Sequence, residues 1–274
     1  MPVISTNLAA NSAVNYLNIN SQQETSALEK LSSGSRITSA SDDAAGLAIS
    51  TRISSDVTTL QQAATNASQA TSILQTADGG ASNISDILAR MKSLASESSS
   101  GTTVDSSRAY IESEFSQLTQ EIDSIASGTR YSGQSLLDGS SVFASGVSVM
   151  VGSSGSDTIS ITLSSLTSSS LGVTALDVST QSGATSALSL LDSAINTVSA
   201  ARASIGAQES RFNFSAESIS TQTQNLESAN SAIKDVDIAS EQATLSSAEV
   251  KTQAAVSAET AANQMPQYLL KLLG

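Results

Sequence analysis

The chain has no cysteine, no histidine and no tryptophan. It has only two prolines, and aromatics make up 3% of its 274 residues. Without Cys or His there is no disulfide, no thiolate nucleophile, no imidazole base and none of the commonest transition-metal ligands. A metalloprotease of the H-E-x-x-H type is impossible, and no cofactor or metal site is expected. Absence of Cys fits any compartment and gives no redox address. Positive charge is also scarce. Twelve Lys and Arg face 25 Asp and Glu, for a net charge of −13 and a pI near 4.2. A protein so acidic lacks the basic face that nucleic-acid phosphates require. No run of 18 apolar residues exists, so no helical membrane span is expected. The first residues, MPVISTNLAANSAVNYLNINSQQ, have no basic start, no apolar h-region and no small-residue cleavage site. They do not read as a secretory signal peptide, so an extracellular destination would need another route.

What the chain does have is Ala, Leu, Ile and Val at helical spacing, which suits narrow helix–helix seams better than a wide core. Ile53, Val57, Leu60, Ala64, Ala67, Thr71 and Leu74 fall three and four apart. After a phase slip beside Gly79-Gly80, Ala77, Ala81, Ile84, Leu88, Met91 and Ala95 continue the row. SESSSGTTVDSS interrupts it, and a second seam follows at Ile111, Phe115, Leu118, Ile122 and Ile125, with Gly128 expected as the left-handed residue after that helix. The middle changes period. Val147, Val149 and Val151, then Ile159, Ile161 and Leu163, alternate with small or polar residues around GSSGSDT. This predicts a β-hairpin. Residues 164–186 read as Ser/Thr-rich loop with one more short strand near Val173–Val178.

The strongest signal is C-terminal. Leu191, Val198, Ile205, Phe212, Ile219, Leu226 and Ile233 recur every seven residues, with Leu188, Ile195, Arg202, Glu209, Ala216, Thr223 and Asn230 as companions. Such a repeat predicts supercoiled packing against partner helices. A last helix carries the row Ala248, Ala255, Ala262 and Leu269 beside Ala258, Met265 and Leu272, with Pro266 expected to weaken or kink it. A first helix carries Val14, Leu17, Leu28 and Leu31. LSSGSRITSASDDAAG, residues 31–46, concentrates breakers between two long helical stretches. Gly34 is placed to close the first helix in a left-handed conformation. Asp42 and Asp43 are placed to cap the next one, and KDVDIASE with Asp235 and Asp237 marks a corresponding break near the other end. The fold expected is mainly α: a long antiparallel coiled-coil-like helical rod at 44–234 with a small β-hairpin region at about 140–180, plus paired terminal helices at 1–43 and 235–274.

Each acidic cluster has a rival reading. Asp235-x-Asp237 could hold calcium, but the Gly and closing Glu of an EF-hand are not at the required offsets, and a helix cap fits better. Asp42-Asp43 could be an acid/base dyad, but no His or Lys stands nearby. Asn-x-Ser at Asn66, Asn83 and Asn213 lies inside expected helices and is taken as chance. The Ser/Thr-rich stretch 140–186 is either solvated loop or a site of O-linked modification at Ser140, Ser141, Ser153, Ser154, Thr167, Ser168 and Ser169.

Four stretches resemble bacterial flagellin: LEKLSSGSRITSASDDAAGLAIS (28–50), EIDSIASGTRYSGQSLLDG (121–139), SIGAQESRFNF (204–214) and AANQMPQYLLKLL (261–273). The resemblance covers residues 1–139 and about 187–274, and the short middle leaves no room for additional outer domains. It implies a self-assembling subunit of the flagellar filament, with both terminal arms in an inner layer, the rod in an outer layer and the joint at 32–43 between them. It also implies export through the flagellar type III apparatus to the cell exterior, an export chaperone on the C-terminal helix at about 237–274, and filament cap and junction proteins as partners. A vertebrate innate immune receptor is a further implied partner. The family's receptor motif L-Q-R-V-R-E-L-A compares with LARMKSLA at 88–95, keeping Arg90 and Leu94, with Glu114 matching on the adjacent helix. Two other readings remain: a hook–filament junction protein sharing the terminal helices, and an adhesin displayed on the filament.

Overall fold

The computed structural model describes residues 7–273, with the side chains of 266 and 269–273 outside the description. The expected positions of Leu269 and Leu272 therefore lie outside the described residues. The chain is 74% helical. Its elements are α1 (Leu8–Ser33), α2 (Ala44–Ser99), α3 (Asp105–Gly128), β1 (Arg130–Tyr131), β2 (Gln134–Ser135), α4 (Val142–Ser145), β3 (Val147–Met150), β4 (Thr158–Ile161), α5 (Gln181–Lys234) and α6 (Ile238–Leu273). β1 pairs antiparallel with β2, and β3 with β4 in the register Val147↔Ile161 to Met150↔Thr158. The backbone divides into two compact units, Met1–Ser55 with Asn225–Gly274, and Asp56–Gln224. These boundaries fall inside α2 and α5, not at the joints after 43 and before 235. Both helices run through their boundary residues without a break, because no Gly, Pro or cap interrupts either pattern there.

In unit 56–224 the helices α2, α3 and α5 share one apolar core. Cross-helix contacts fix the directions. Gln75 pairs with Glu209, Asp78 with Arg202 and Lys92 with Asp192, so α5 runs antiparallel to α2. Leu191, Val198, Ile205, Phe212 and Ile219 are buried along α5. Leu226 and Ile233, beyond this unit, are half-buried. The second fully buried row is not the one at Leu188 and Ile195. It is Ala187, Ala194, Ala201 and Gln208, one position earlier. Alanine fills it because small side chains let helix backbones approach closely, and so it draws no attention in a search for large apolar residues.

The phase slip expected in α2 is absent: the buried row runs Leu60, Ala63, Ala67, Ala70, Leu74, Ala77, Ala81, Ile84, Leu88, Met91 and Ala95 in unbroken three-and-four steps, with Ala63 and Ala70 in place of Ala64 and Thr71. A Cβ at Gly80 would stand 2.4 Å from Thr129 Oγ1 and 2.9 Å from Leu137 Cδ1, whereas Gly79 faces open space. The helix is helical through both glycines, and Gly80 admits the chain that leaves α3. Gly128 is the last helical residue and is followed by Thr129 in extended backbone (φ −74°), so the expected left-handed cap at Gly128 is absent. The chain turns instead into the β1–β2 hairpin, whose two-residue Ser132-Gly133 turn the alternation rule was too coarse to find. The turn from α2 to α3 is held by Arg108. Its side chain is buried and donates to Ser98 O at 2.9 Å and Ser100 O at 3.0 Å, and it pairs with Asp105 at 2.7 Å. A guanidinium here satisfies orphan carbonyls at a helix C-terminus.

The segment after β4 is not loose loop. Leu163, Leu166, Leu171, Val173 and Val178 are buried, and no strand forms near 173–178. Side chains from the helices anchor its backbone: Asp123 accepts from the Ser168 amide and hydroxyl at 2.8 and 2.7 Å. Gln208 exchanges two hydrogen bonds of 2.9 Å with the main chain of Thr162, continuing the β4 ladder from a helix.

Replacing Ala194 by Leu should overpack the alanine row at a cost of about 1–3 kcal/mol. The measurement is the drop in denaturant midpoint of the monomer. An unchanged midpoint would show that α5 and its neighbours have room at this position.

Candidate functional site

Within unit 1–55 and 225–274, the two joints meet although they lie some two hundred positions apart in sequence. Gly34 ends α1 with φ 68° and ψ 8°, in the left-handed region. The chain then folds onto the C-terminal end of α5. The Arg36 amide donates to Lys234 O at 2.6 Å, and the Val236 amide donates to Gly34 O at 3.1 Å. Ser35 forms an antiparallel bridge with Asp235. Ser35 Oγ donates to Ile37 O at 2.8 Å and to Lys234 O at 3.1 Å. Arg36 Nη2 donates to Ile233 O at 2.8 Å. The last carbonyls of a helix lack intrahelical donors, and the first joint supplies them. The guanidinium also faces the negative end of the α5 dipole. Sequence reading singled out neither Ser35 nor Arg36. The available signal was a cation just past a helix-ending glycine.

The four aspartates divide into two roles. Asp43 Oδ1 accepts from the Gly46 amide at 2.8 Å, and Asp237 Oδ1 accepts from the Ala239 and Ser240 amides at 3.0 and 3.2 Å. These two are N-caps of α2 and α6. Asp42 and Asp235 are not. Asp42 Oδ2 turns back into the joint and accepts from the Thr38 amide, the Thr38 hydroxyl and the Ser39 amide at 2.9–3.0 Å. Those bonds hold its carboxyl down at about 2, the Thr38 hydroxyl contributing most. Asp235 stands in the bridge to Ser35 and accepts from the Ser231 hydroxyl at 2.6 Å. The reason is spacing: only the residue immediately before the first helical position can reach the free amides.

α1 and α6 pair antiparallel. Asn7 Nδ2 donates to Ala262 O at 2.8 Å, and Thr252 contacts Glu24 at 3.3 Å. Their facing stripes are Ala13, Leu17, Asn20, Glu24, Ala27 and Leu31 against Leu245, Ala248, Thr252, Ala255 and Ala262. Only the alanines and Leu245 are fully buried. Val14 and Leu28, expected in the seam, face outward, as do Ala258 and Met265. Exact 3–4 spacing from the alanines displaces these larger residues to the flanks. The pair consequently exposes large apolar side chains on both helices, among them Tyr16, Ile19 and Leu28 on α1 and Val250, Met265 and Tyr268 on α6. α6 stays helical through Pro266.

In unit 56–224, Arg90 and Glu114 form an exposed ion pair at 2.6 Å. Leu94 is buried at 2% exposure, so it belongs to the core and is no surface contact. Of the Ser/Thr positions considered for O-linked modification, Ser140, Ser153, Ser154 and Ser169 are exposed, while Ser141 and Thr167 are half-buried. Ser168 is buried and bonded to Asp123, so it is inaccessible. Among the described residues no helix is long and apolar enough to cross a membrane.

Residues 4–142 match the bacterial flagellin N-terminal helical region, and residues 188–273 match the bacterial flagellin C-terminal helical region. The chain belongs to the bacterial flagellin family. It is 36% identical over 273 residues to a flagellin of Halalkalibacterium halodurans, covering 99% of each chain. The crystal structure of Bacillus cereus flagellin aligns with a TM-score of 0.52 at 27% identity, over 61% of this chain and 94% of that one. A protein described as flagellar hook-associated, from Vibrio parahaemolyticus, aligns at a TM-score of 0.59 over 71% of this chain and 100% of that one. Its 14% identity marks a likeness of fold alone. This flagellin is thus a structural subunit of the flagellar filament.

Two outcomes test the joint. Gly34→Val should cost about 1 kcal/mol or more through left-handed strain, read as a lower melting temperature with reduced assembly. Asp42 is depressed from 3.8 to about 2, so its contribution to stability is present above pH 3.8 and is lost as pH falls through about 2. Carboxyl NMR should find its midpoint near the lower value, and Thr38→Ala should move it upward.

Proposed function

We propose that this flagellin is a two-layer subunit in which α1 and α6 build the inner layer of the filament and residues 44–234 the outer layer. The observation that carries this reading is the outward apolar face of the α1–α6 pair. A lone alanine-rich pair buries little area, at roughly 25 cal/mol per Å², while ordering costs on the order of 1–2 kcal/mol per residue. Contact with neighbouring subunits would bury Tyr16, Ile19, Leu28, Val250 and Tyr268, so each added subunit stabilises the next. On this reading the arms are frayed in the free monomer and helical in the filament.

The partners follow from the same reading. The export chaperone takes the C-terminal helix at 237–274 before passage through the type III apparatus, and cap and junction proteins meet the same helices at the ends of the filament. The vertebrate receptor, where it binds, engages the Arg90–Glu114 side of α2 and α3 without Leu94. O-linked sugars, where present, sit on the exposed Ser140, Ser153, Ser154 and Ser169, and intact mass of the native protein counts them. Growth of long filaments by the purified chain alone separates the filament subunit from a hook–filament junction protein.

Deleting either arm should abolish polymerisation and leave a helical fragment that melts cooperatively. Strong amide protection in the arms of the isolated full-length monomer would overturn the idea that assembly orders them. Replacing 152–157 with another flexible turn should leave filaments intact, since these residues are mostly exposed and loop tips tolerate change. Electron microscopy of the variant decides it.

A further inference from the structure

Away from their shared seam, α1 and α6 present faces of opposite character. On α1 the helical repeat sets Asn11, Asn15, Asn18 and Gln22 in one row, on the side opposite the stripe of Ala13 and Ala27 that meets α6. All four amides are exposed. Between that row and the seam, Tyr16 and Ile19 stand on one flank and Val14 and Leu28 on the other, all exposed. No side chain among residues 1–23 is charged.

On α6 the arrangement reverses. The face opposite its seam carries Val250, Ala254, Ala261 and Tyr268, with Met265 at its edge, and all of them are exposed. The charges of α6 stand elsewhere. Glu241 and Glu259 are half-buried on the seam side, and the helical repeat puts Glu249 and Lys251 on the flanks. Charged residues are depleted, and Tyr and Met enriched, at the centres of protein interfaces. In a chain of net charge −13, the uncharged faces are those that two copies can bring together without like-charge repulsion.

Resting on the reading of α1 and α6 as the inner layer, we propose that the outer face of α6 in one subunit packs against the Tyr16 and Ile19 flank of α1 in a second copy, and that the row from Asn11 to Gln22 stays in water. The contact joins two unlike faces. A face packed against its own copy closes a dimer, whereas an open helical polymer needs a heterologous contact of this kind. The amide row decides which side of α1 is left uncovered. In water its side chains keep their hydrogen bonds, and against the valine and alanines of α6 they would lose them without replacement. The outer face of α6 has little polar reason to stay wet, and burying its Val, Met and Tyr is favourable.

The chain has no cysteine, so one introduced thiol reports one position. Full-length Asn15→Cys, Asn18→Cys, Ile19→Cys and Val250→Cys chains, each diluted into excess parent chain, are exposed to a charged maleimide as monomers and as filaments. All four should label in the monomer. In filaments, labelling should be lost at Ile19→Cys and Val250→Cys and retained at Asn15→Cys and Asn18→Cys. Loss of labelling at positions 15 and 18 overturns the proposal and leaves the inner-layer reading standing. Retained labelling at all four positions overturns both. A flexible bis-maleimide added to filaments that mix Ile19→Cys and Val250→Cys chains should link one variant to the other, and predominant linkage of Val250→Cys chains to each other overturns the pairing of faces. Charge gives a second reading for any variant that fails to enter filaments. Asn15→Asp and Asn18→Asp chains should polymerise like the parent, while Ile19→Asp and Val250→Asp chains should not. The reverse pattern refutes the assignment.

Discussion

Helices that meet across alanine hold together only by close and prolonged approach. Each alanine removes little apolar surface from water, so what a leucine or phenylalanine supplies in one layer must be spread over many turns. That constraint accounts for the 56 residues of α2 and the 54 of α5. It also accounts for the absence of proline within them, and for Gly80 at the point where the chain leaving α3 presses on α2. Large side chains punctuate the small ones on all three helices, as at Leu74, Ile84, Leu88 and Met91 of α2, Phe115 and Ile122 of α3 and Phe212 of α5, all buried.

A core built from small side chains has little apolar volume with which to hold irregular segments, and polar side chains do that instead. Segment 162–178 hangs from Gln208, Asp123, Ser98 and Glu112. The α2–α3 turn hangs from Arg108. The end of α5 is closed by Ser35 and Arg36. In each case a side chain reaches a backbone group that a helix or strand cannot satisfy, and leaving such a group bare would cost about 1–3 kcal/mol. The Ser/Thr-rich composition that looks like loose loop is thereby compatible with a packed one.

Repetition made the helices legible. Seven-residue recurrence located α5, and three-and-four spacing located α2 and α3, because a helix advances one face per turn wherever it sits. Period two located β3 and β4 for the same reason. What escaped was whatever depends on partners distant in sequence. The alanine row at 187, 194 and 201 is buried by its neighbours and not by its own hydrophobicity. Asp42 and Asp43 are chemically alike, and one residue of position sends one into the joint and the other onto α2. Ser168 looks as free as Ser169 until Asp123 is seen to hold it. Leu94 matches a surface motif by sequence and a core position by phase, and phase decides its burial.

The α1–α6 pair carries the alanine constraint to its limit. Its facing stripes mix alanine with Asn20, Glu24 and Thr252, and Thr252 donates to Glu24 across them at 3.3 Å. Such a seam is weak, but it is selective. Sliding one helix by a heptad would bring Glu24 opposite Leu245 or Glu259, which offers it either an apolar wall or a like charge. The large apolar residues that could have strengthened the seam stand outside it instead, on faces that one chain cannot cover. Register is thus written into the pair by polar residues, while its large apolar side chains contribute little burial to the seam and stay exposed in the single chain.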